Sequence, residues 1–77
     1  MNQQISSAIY LMNDLVHKTG LSADTIRFYE KKHLLEPSFR GDNNYRYYLD
    51  DALKRLIFIK RCRALDISLK EIENLIE

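Results

Sequence analysis

No single regular element can run through the middle of this chain. Pro37 has no backbone donor and holds the preceding Glu36 in extended geometry, so a helix arriving from the N-terminal side must end before it. Four turn-formers in succession, Gly41, Asp42, Asn43 and Asn44, then separate Phe39 from Tyr45, which predicts the tip of a β-hairpin. Asn43 or Asn44 can take the left-handed conformation that glycine would otherwise supply. Helical spacing of apolar residues on either side of this break implies a mainly α fold with a small β-hairpin.

Upstream, residues 1–8 are polar and unpatterned and predict a flexible N-terminal tail. The apolar run over 9–12 reads as a short strand or the lead-in to a helix. Asn13 is a suitable N-cap for a first short helix carrying Leu15 and Val16 and stopping at Gly20. Ser22 offers a second cap, and Ile26 and Tyr29 recur at helical spacing to about His33. Two short helices around Thr19, Gly20 and Leu21 read as a helix-turn-helix. Downstream, Asp50 is predicted to cap a third helix with Leu53, Leu56, Ile57, Ile59, Cys62 and Leu65 on its apolar face. Asp66 and Ile67 break it. Ser68 and Glu71 then form a capping box that opens a fourth helix, with Leu69, Ile72, Leu75 and Ile76 expected inward.

With 77 residues there is room for one domain, over 9–77, and for a small core, since a chain of that size buries only about 60% of its unfolded surface. The single cysteine, Cys62, rules out an internal disulfide and any cage of several thiolates within one chain; it is read as a packing residue. No apolar run spans a bilayer, and no signal peptide opens the chain, so a cytoplasmic location is expected and no membrane partner. A catalytic reading lacks a Gly-rich phosphate loop, a nucleophile with its base, and a body large enough for a substrate pocket. No enzyme activity and no cofactor of this chain are expected.

Net charge is only +1, yet its distribution is uneven. From residue 27 to 63 ten basic side chains face five acidic ones, and the remainder is net −4. A focused basic surface of this kind suits a polyanion while limiting indiscriminate adhesion. Duplex DNA requires a rigid element for the major groove, with cations and hydroxyls around it to hold phosphates. On the second helix Asp24 and Arg27 are placed to meet base edges: Arg27 as a guanine reader or phosphate clamp, Asp24 as an acceptor for a cytosine amine or simply a favourable charge at the positive helix end. Lys31 and Lys32 lie one turn on, better placed for the backbone. Phe28 and Phe58 are read as packing residues, and His17 and His33 as surface or helix-end residues. Of Tyr47 and Tyr48, one should pack on the third helix and the other be exposed.

The segments Thr19, Gly20, Leu21; Thr25, Ile26, Arg27, Phe28, Tyr29, Glu30; Leu34, Leu35, Pro37; Arg40; and Tyr45, Arg46, Tyr47, Tyr48, followed by the third- and fourth-helix patterns, resemble the DNA-binding half of the MerR family of transcriptional regulators. The stretch over 58–66, with Asp24 before Thr25, is most similar to the lead- and cadmium-responsive members. The resemblance implies a winged helix-turn-helix of four helices, with a second wing formed by the third and fourth. It implies DNA contacts by Arg27 and Tyr29, Tyr29 having an alternative place in the core, and phosphate contacts by Arg40, Tyr45, Arg46 and Arg63. It also implies a homodimeric full-length protein that answers a metal ion or other effector and acts with RNA polymerase at a promoter. One departure is Asn44, where the family often has glycine before the wing tyrosine; asparagine tolerates the left-handed region. A second reading is a free-standing adaptor, excisionase-like, docking DNA or a protein partner.

Overall fold

A computed structural model describes residues 8–76; of the expected N-terminal tail only Ala8 falls within them. The order is α1 (Met12–Thr19), α2 (Ala23–Lys31), β1 (Phe39–Arg40), β2 (Arg46–Tyr47), α3 (Asp50–Ala64) and α4 (Leu69–Ile76). Helix α1 packs on both α2 and α3, and α4 packs on α3. One core joins them, with Leu15, Ile26, Leu34, Tyr48, Leu56, Ile59 and Ile72 fully buried and Tyr29, Leu35, Ala52 and Cys62 nearly so. Cys62 therefore packs, as its sequence context predicted. Among the described residues no helix is long and apolar enough to cross a membrane.

The run over 9–12 is both of its predicted alternatives. Tyr10 forms an antiparallel bridge with Tyr48, through N–O contacts of 2.7 and 2.9 Å, and Met12 already begins α1. Asn13 is inside the helix rather than its cap. The Asp14 carboxylate accepts from the Leu11 amide at 2.8 Å, which moves the start two residues upstream. Leucine has no side-chain acceptor, so only the reciprocal half of a capping box exists there.

The hairpin is minimal, pairing Phe39 with Tyr47 and Arg40 with Arg46. The Asn44 amide donates to Gly41 O and the Gly41 amide to Tyr45 O, both at 2.9 Å, while Asn44 takes φ 66°. That is a turn closed by a left-handed residue, the bulged three-residue hairpin loop. Gly41 is needed for space: a Cβ there would lie 2.7 Å from Tyr47 Cε2. The Tyr47 ring is stacked on Phe39 at 5.1 Å. Tyr48 is buried and Tyr47 half-buried, the alternation expected of a strand.

Asp50 opens α3 but does not cap it. Leu49 is the cap residue, and the Asp50 carboxylate instead accepts from the Tyr10 hydroxyl at 2.7 Å. Ser38 Oγ accepts from the Leu49 amide at 2.9 Å and donates to Asp51, tying the hairpin to the same helix end. Helix α4 has the predicted box, with Glu71 N donating to Ser68 Oγ and Ser68 N to Glu71 Oε1.

Two helices end alike. After α2, His33 at φ 64° lets its amide reach Glu30 O and the Leu34 amide reach Tyr29 O; after α3, Asp66 at φ 63° does the same for Arg63 O and Cys62 O through Ile67. Both are Schellman turns with a non-glycine residue in the left-handed position. The second corrects the expectation for Leu65. The helix stops one residue short of it, Ile67 folds back into the apolar slot, and Leu65 is left 74% exposed. Leu75 is likewise exposed, because Leu69, Ile72 and Ile76 share one flank of α4 and Leu75 falls on the other.

Candidate nucleic-acid interface

The turn between α1 and α2 is fixed by buried Thr19. Its hydroxyl donates to Leu15 O at 2.7 Å and accepts from the Leu21 amide at 3.1 Å, while Gly20 takes φ 79°. From α3 the Lys60 ammonium donates to Thr19 O. Ser22 then caps α2 by accepting from the Thr25 amide at 3.1 Å, as its sequence position predicted.

Ile26 and Tyr29 turn α2 toward the core, so its opposite face carries Asp24, Arg27, Phe28 and Lys31, all exposed. Asp24 and Arg27 form an ion pair at 3.1 Å, one turn apart and open to solvent. Tyr29 is the sequence-nominated residue that the fold turns inward: standing three residues after Ile26, it shares the core face and keeps 6% of its surface. Phe28, expected to pack, is 43% exposed, with the Lys32 ammonium 5.7 Å above its ring. Phe58 corrects in the same way, at 40% exposed. Helical phase carried a signal for Phe28, since two residues beyond Ile26 lies on the far side of the helix.

The hairpin stands against α2. Arg27 and Lys31 of the helix, Arg40 and Arg46 of the hairpin, and Glu30 beneath them line one cleft of about 480 Å³. Arg27 also lines an adjoining hollow with Tyr45 and Arg46. The fold thus gathers five of the eight nominated residues, Arg27, Lys31, Arg40, Tyr45 and Arg46, and Asp24 joins them through Arg27. Arg40 braces the hairpin tip, donating to Asn44 O at 3.2 Å. Arg63 lines neither cleft. It sits in the last turn of α3 and donates to Ile67 O at 2.9 Å, supporting the corner before α4.

Under the cations lies a group that sequence reasoning did not single out. Tyr48, fully buried, donates its hydroxyl to Glu30 Oε2 at 2.5 Å, and Glu30 Oε1 is 3.3 Å from Arg46 Nε. The second contact is an ion pair without hydrogen-bond alignment; neither atom has a hydrogen-bond partner. Burial, then the bond to Glu30, push the Tyr48 hydroxyl well above its ordinary range, so it stays protonated and donating.

A face of this build, one short helix with free polar and cationic side chains flanked by a basic hairpin, is a shape and charge match to duplex nucleic acid. Known proteins agree. The profile of the MerR HTH family of regulatory proteins matches residues 10–77. A ZntR homolog of Haemophilus influenzae is 45% identical over 62 residues, 80% of this chain and 46% of that protein. The CueR regulator of Bacillus subtilis is 38% identical over 68 residues, 88% of this chain and 47% of that one. Among solved structures, HiNmlR, a MerR family regulator lacking the sensor domain and bound to promoter DNA, superposes with TM-score 0.81 at 31% identity, covering 88% of this chain and 52% of its own. PbrR691 of Ralstonia metallidurans, in complex with lead(II), gives 0.79 at 41% identity, covering 86% and 52%. The chain spans about half the length of the curated relatives it matches. It belongs to the MerR family of helix-turn-helix transcriptional regulators.

Proposed function

We propose that this chain binds double-stranded DNA sequence-specifically, with α2 in the major groove and the hairpin on the flanking backbone, as the DNA-binding domain of a cytoplasmic, homodimeric, effector-responsive regulator acting with RNA polymerase at a promoter. The observation that carries this is the shared hollow of Arg27, Tyr45 and Arg46: the groove element and the backbone element present adjoining contacts. Arg27 is the base reader, its guanidinium oriented by Asp24 in the free chain and free to turn to guanine at low cost, since an exposed pair contributes little. Phe28 faces the groove with an apolar ring whose complement is a thymine methyl. Lys31, Arg40, Tyr45 and Arg46 hold phosphates, and Arg63 does so from the corner of α3 and α4. Tyr29 supports the helix from inside and offers DNA no more than a ring edge.

The PbrR691 structure holds lead(II), and a metal ion is one effector the full-length protein would answer. Cys62 lies in the core, and among the described residues no group of three or more His, Cys, Asp or Glu converges. Effector recognition is therefore assigned to none of these side chains.

The test uses a duplex that the chain itself selects from a random pool. Arg27→Ala is expected to erase its preference over unselected duplex, by about ten- to a hundredfold. Arg46→Ala is expected to weaken both duplexes equally and flatten the salt dependence by about one unit of slope. Unchanged binding by both variants at low salt would sink the assignment.

A further inference from the structure

A carboxylate beside a phosphate-binding cleft works against phosphate, and Glu30 lies in such a place. It lines the cleft with Arg27, Lys31, Arg40 and Arg46. It is also nine-tenths buried, its side chain 10% exposed. A buried carboxylate is costly unless partners compensate it. Glu30 has two, both from the extended segment that begins with β2. The Tyr48 hydroxyl, anchored in the core, satisfies Oε2, and the Arg46 guanidinium, 41% exposed, stands over Oε1. The Arg46 contact is electrostatic only, since no hydrogen bond closes it.

These contacts divide the work. Tyr48 fixes where the carboxylate sits, and the carboxylate, acting through charge, fixes where Arg46 sits. Because the Arg46 contact lacks a directed bond, the guanidinium stays available to an anion arriving in either cleft it lines. From this geometry, and resting on the DNA-binding reading above, we infer that Glu30 is a positioning residue: it clasps the hairpin to α2 and holds Arg46 at the mouth of the phosphate-binding cleft.

A residue that acts only by holding the fold together would show its effect whether or not Arg46 is present. One that acts through Arg46 would not. The experiment is a double-mutant cycle with Glu30→Gln, Arg46→Ala and the pair, each checked by thermal melting, with binding to a 30-base-pair random-sequence duplex followed over salt concentration. Glutamine keeps an acceptor for Tyr48 and removes the charge. Glu30→Gln is expected to weaken binding about three- to tenfold and to flatten the salt slope by about one. In the Arg46→Ala background it is expected to change affinity less than about twofold. Losses that multiply overturn the inference, as does a Glu30→Gln chain that binds as tightly as the wild type or tighter. Should Glu30→Gln fail to fold, Tyr48→Phe releases the same carboxylate; its loss of affinity must vanish in Arg46→Ala, and a loss that persists overturns the inference. Absence of salt-dependent binding by the wild type itself would remove the DNA-binding reading, and this inference with it.

Discussion

The ammonium of Lys60, in the middle of α3, is hydrogen-bonded to the carbonyl of Thr19, the last residue of α1. A cation placed at the negative end of a helix, on a carbonyl the helix leaves unpaired, is favourable on both counts. Gly20, beside this bond, is called for by its φ of 79° and not by space, since a Cβ there would meet Lys60 Nζ at an ordinary contact distance of 3.8 Å.

Lys60→Met should accordingly cost about 1–2 kcal/mol of stability while keeping most of the aliphatic packing. Urea unfolding gives the number. A variant as stable as the wild type at low salt would remove Lys60 from the support of the helix-turn-helix.

Gly41→Ala should strain the hairpin through Tyr47, whose ring occupies the place a methyl would take and is held there by Phe39. The expected cost is about 1 kcal/mol, with weakened duplex binding. The same substitution in a Tyr47→Ala background should cost much less. An equal cost in both backgrounds would point to the backbone instead of the ring.

Alkaline pH should loosen the domain. Tyr48, by burial and its bond to Glu30, and Tyr10, by its bond to Asp50, both titrate above the ordinary 10.0 in the folded chain. Above pH 10 the unfolded chain releases these protons while the folded chain retains them, so stability is level below that pH and falls as pH rises through the folded values. Tyr48→Phe should be less stable at pH 8 and lose less on going to pH 11. Parallel losses in the two proteins, measured by urea unfolding, would contradict the shifted Tyr48.

Phe28 should make binding sensitive to thymine methyl groups. On the selected duplex, replacing thymine by uracil should weaken the wild type about fivefold and leave Phe28→Ala unaffected. Equal sensitivity of the two chains would return Phe28 to a role in supporting the helix.

What the sequence disclosed and what it withheld divide along contact range. The Ser68 and Glu71 box, the Ser22 cap and the Gly20 turn are decided within three or four residues and can be read directly, while the left-handed turn residue is narrowed to Asn43 or Asn44, of which the structure takes Asn44. The bridge of Tyr10 to Tyr48 and the bond of Tyr48 to Glu30 join distant positions, with no local pattern to announce them. The start of α1 departs from cap propensity, which favours Asn13, because the Asp14 carboxylate reaches back to the Leu11 amide. Leu65 leaves the apolar face for a related reason: periodicity says which face a residue occupies, and a left-handed Asp66 says where periodicity stops. Of the side chains that line the cleft, Arg27 and Lys31 were legible by type and helical phase and Arg40 and Arg46 by resemblance, while Glu30 was hidden by looking like an ordinary helix-surface acid.

The Schellman turns at His33 and Asp66 give the domain an unused reserve. Each keeps an L-residue in a conformation that disfavours it by about 1–2 kcal/mol, with aspartate tolerating it better than histidine. Glycine at position 33 relieves strain in the folded chain at some entropic cost in the unfolded one, for a net gain of about 0.5–1 kcal/mol. His33 is not itself a nominated DNA contact, so thermal tolerance can be raised there without replacing any of the proposed contact side chains, by evolution or at the bench.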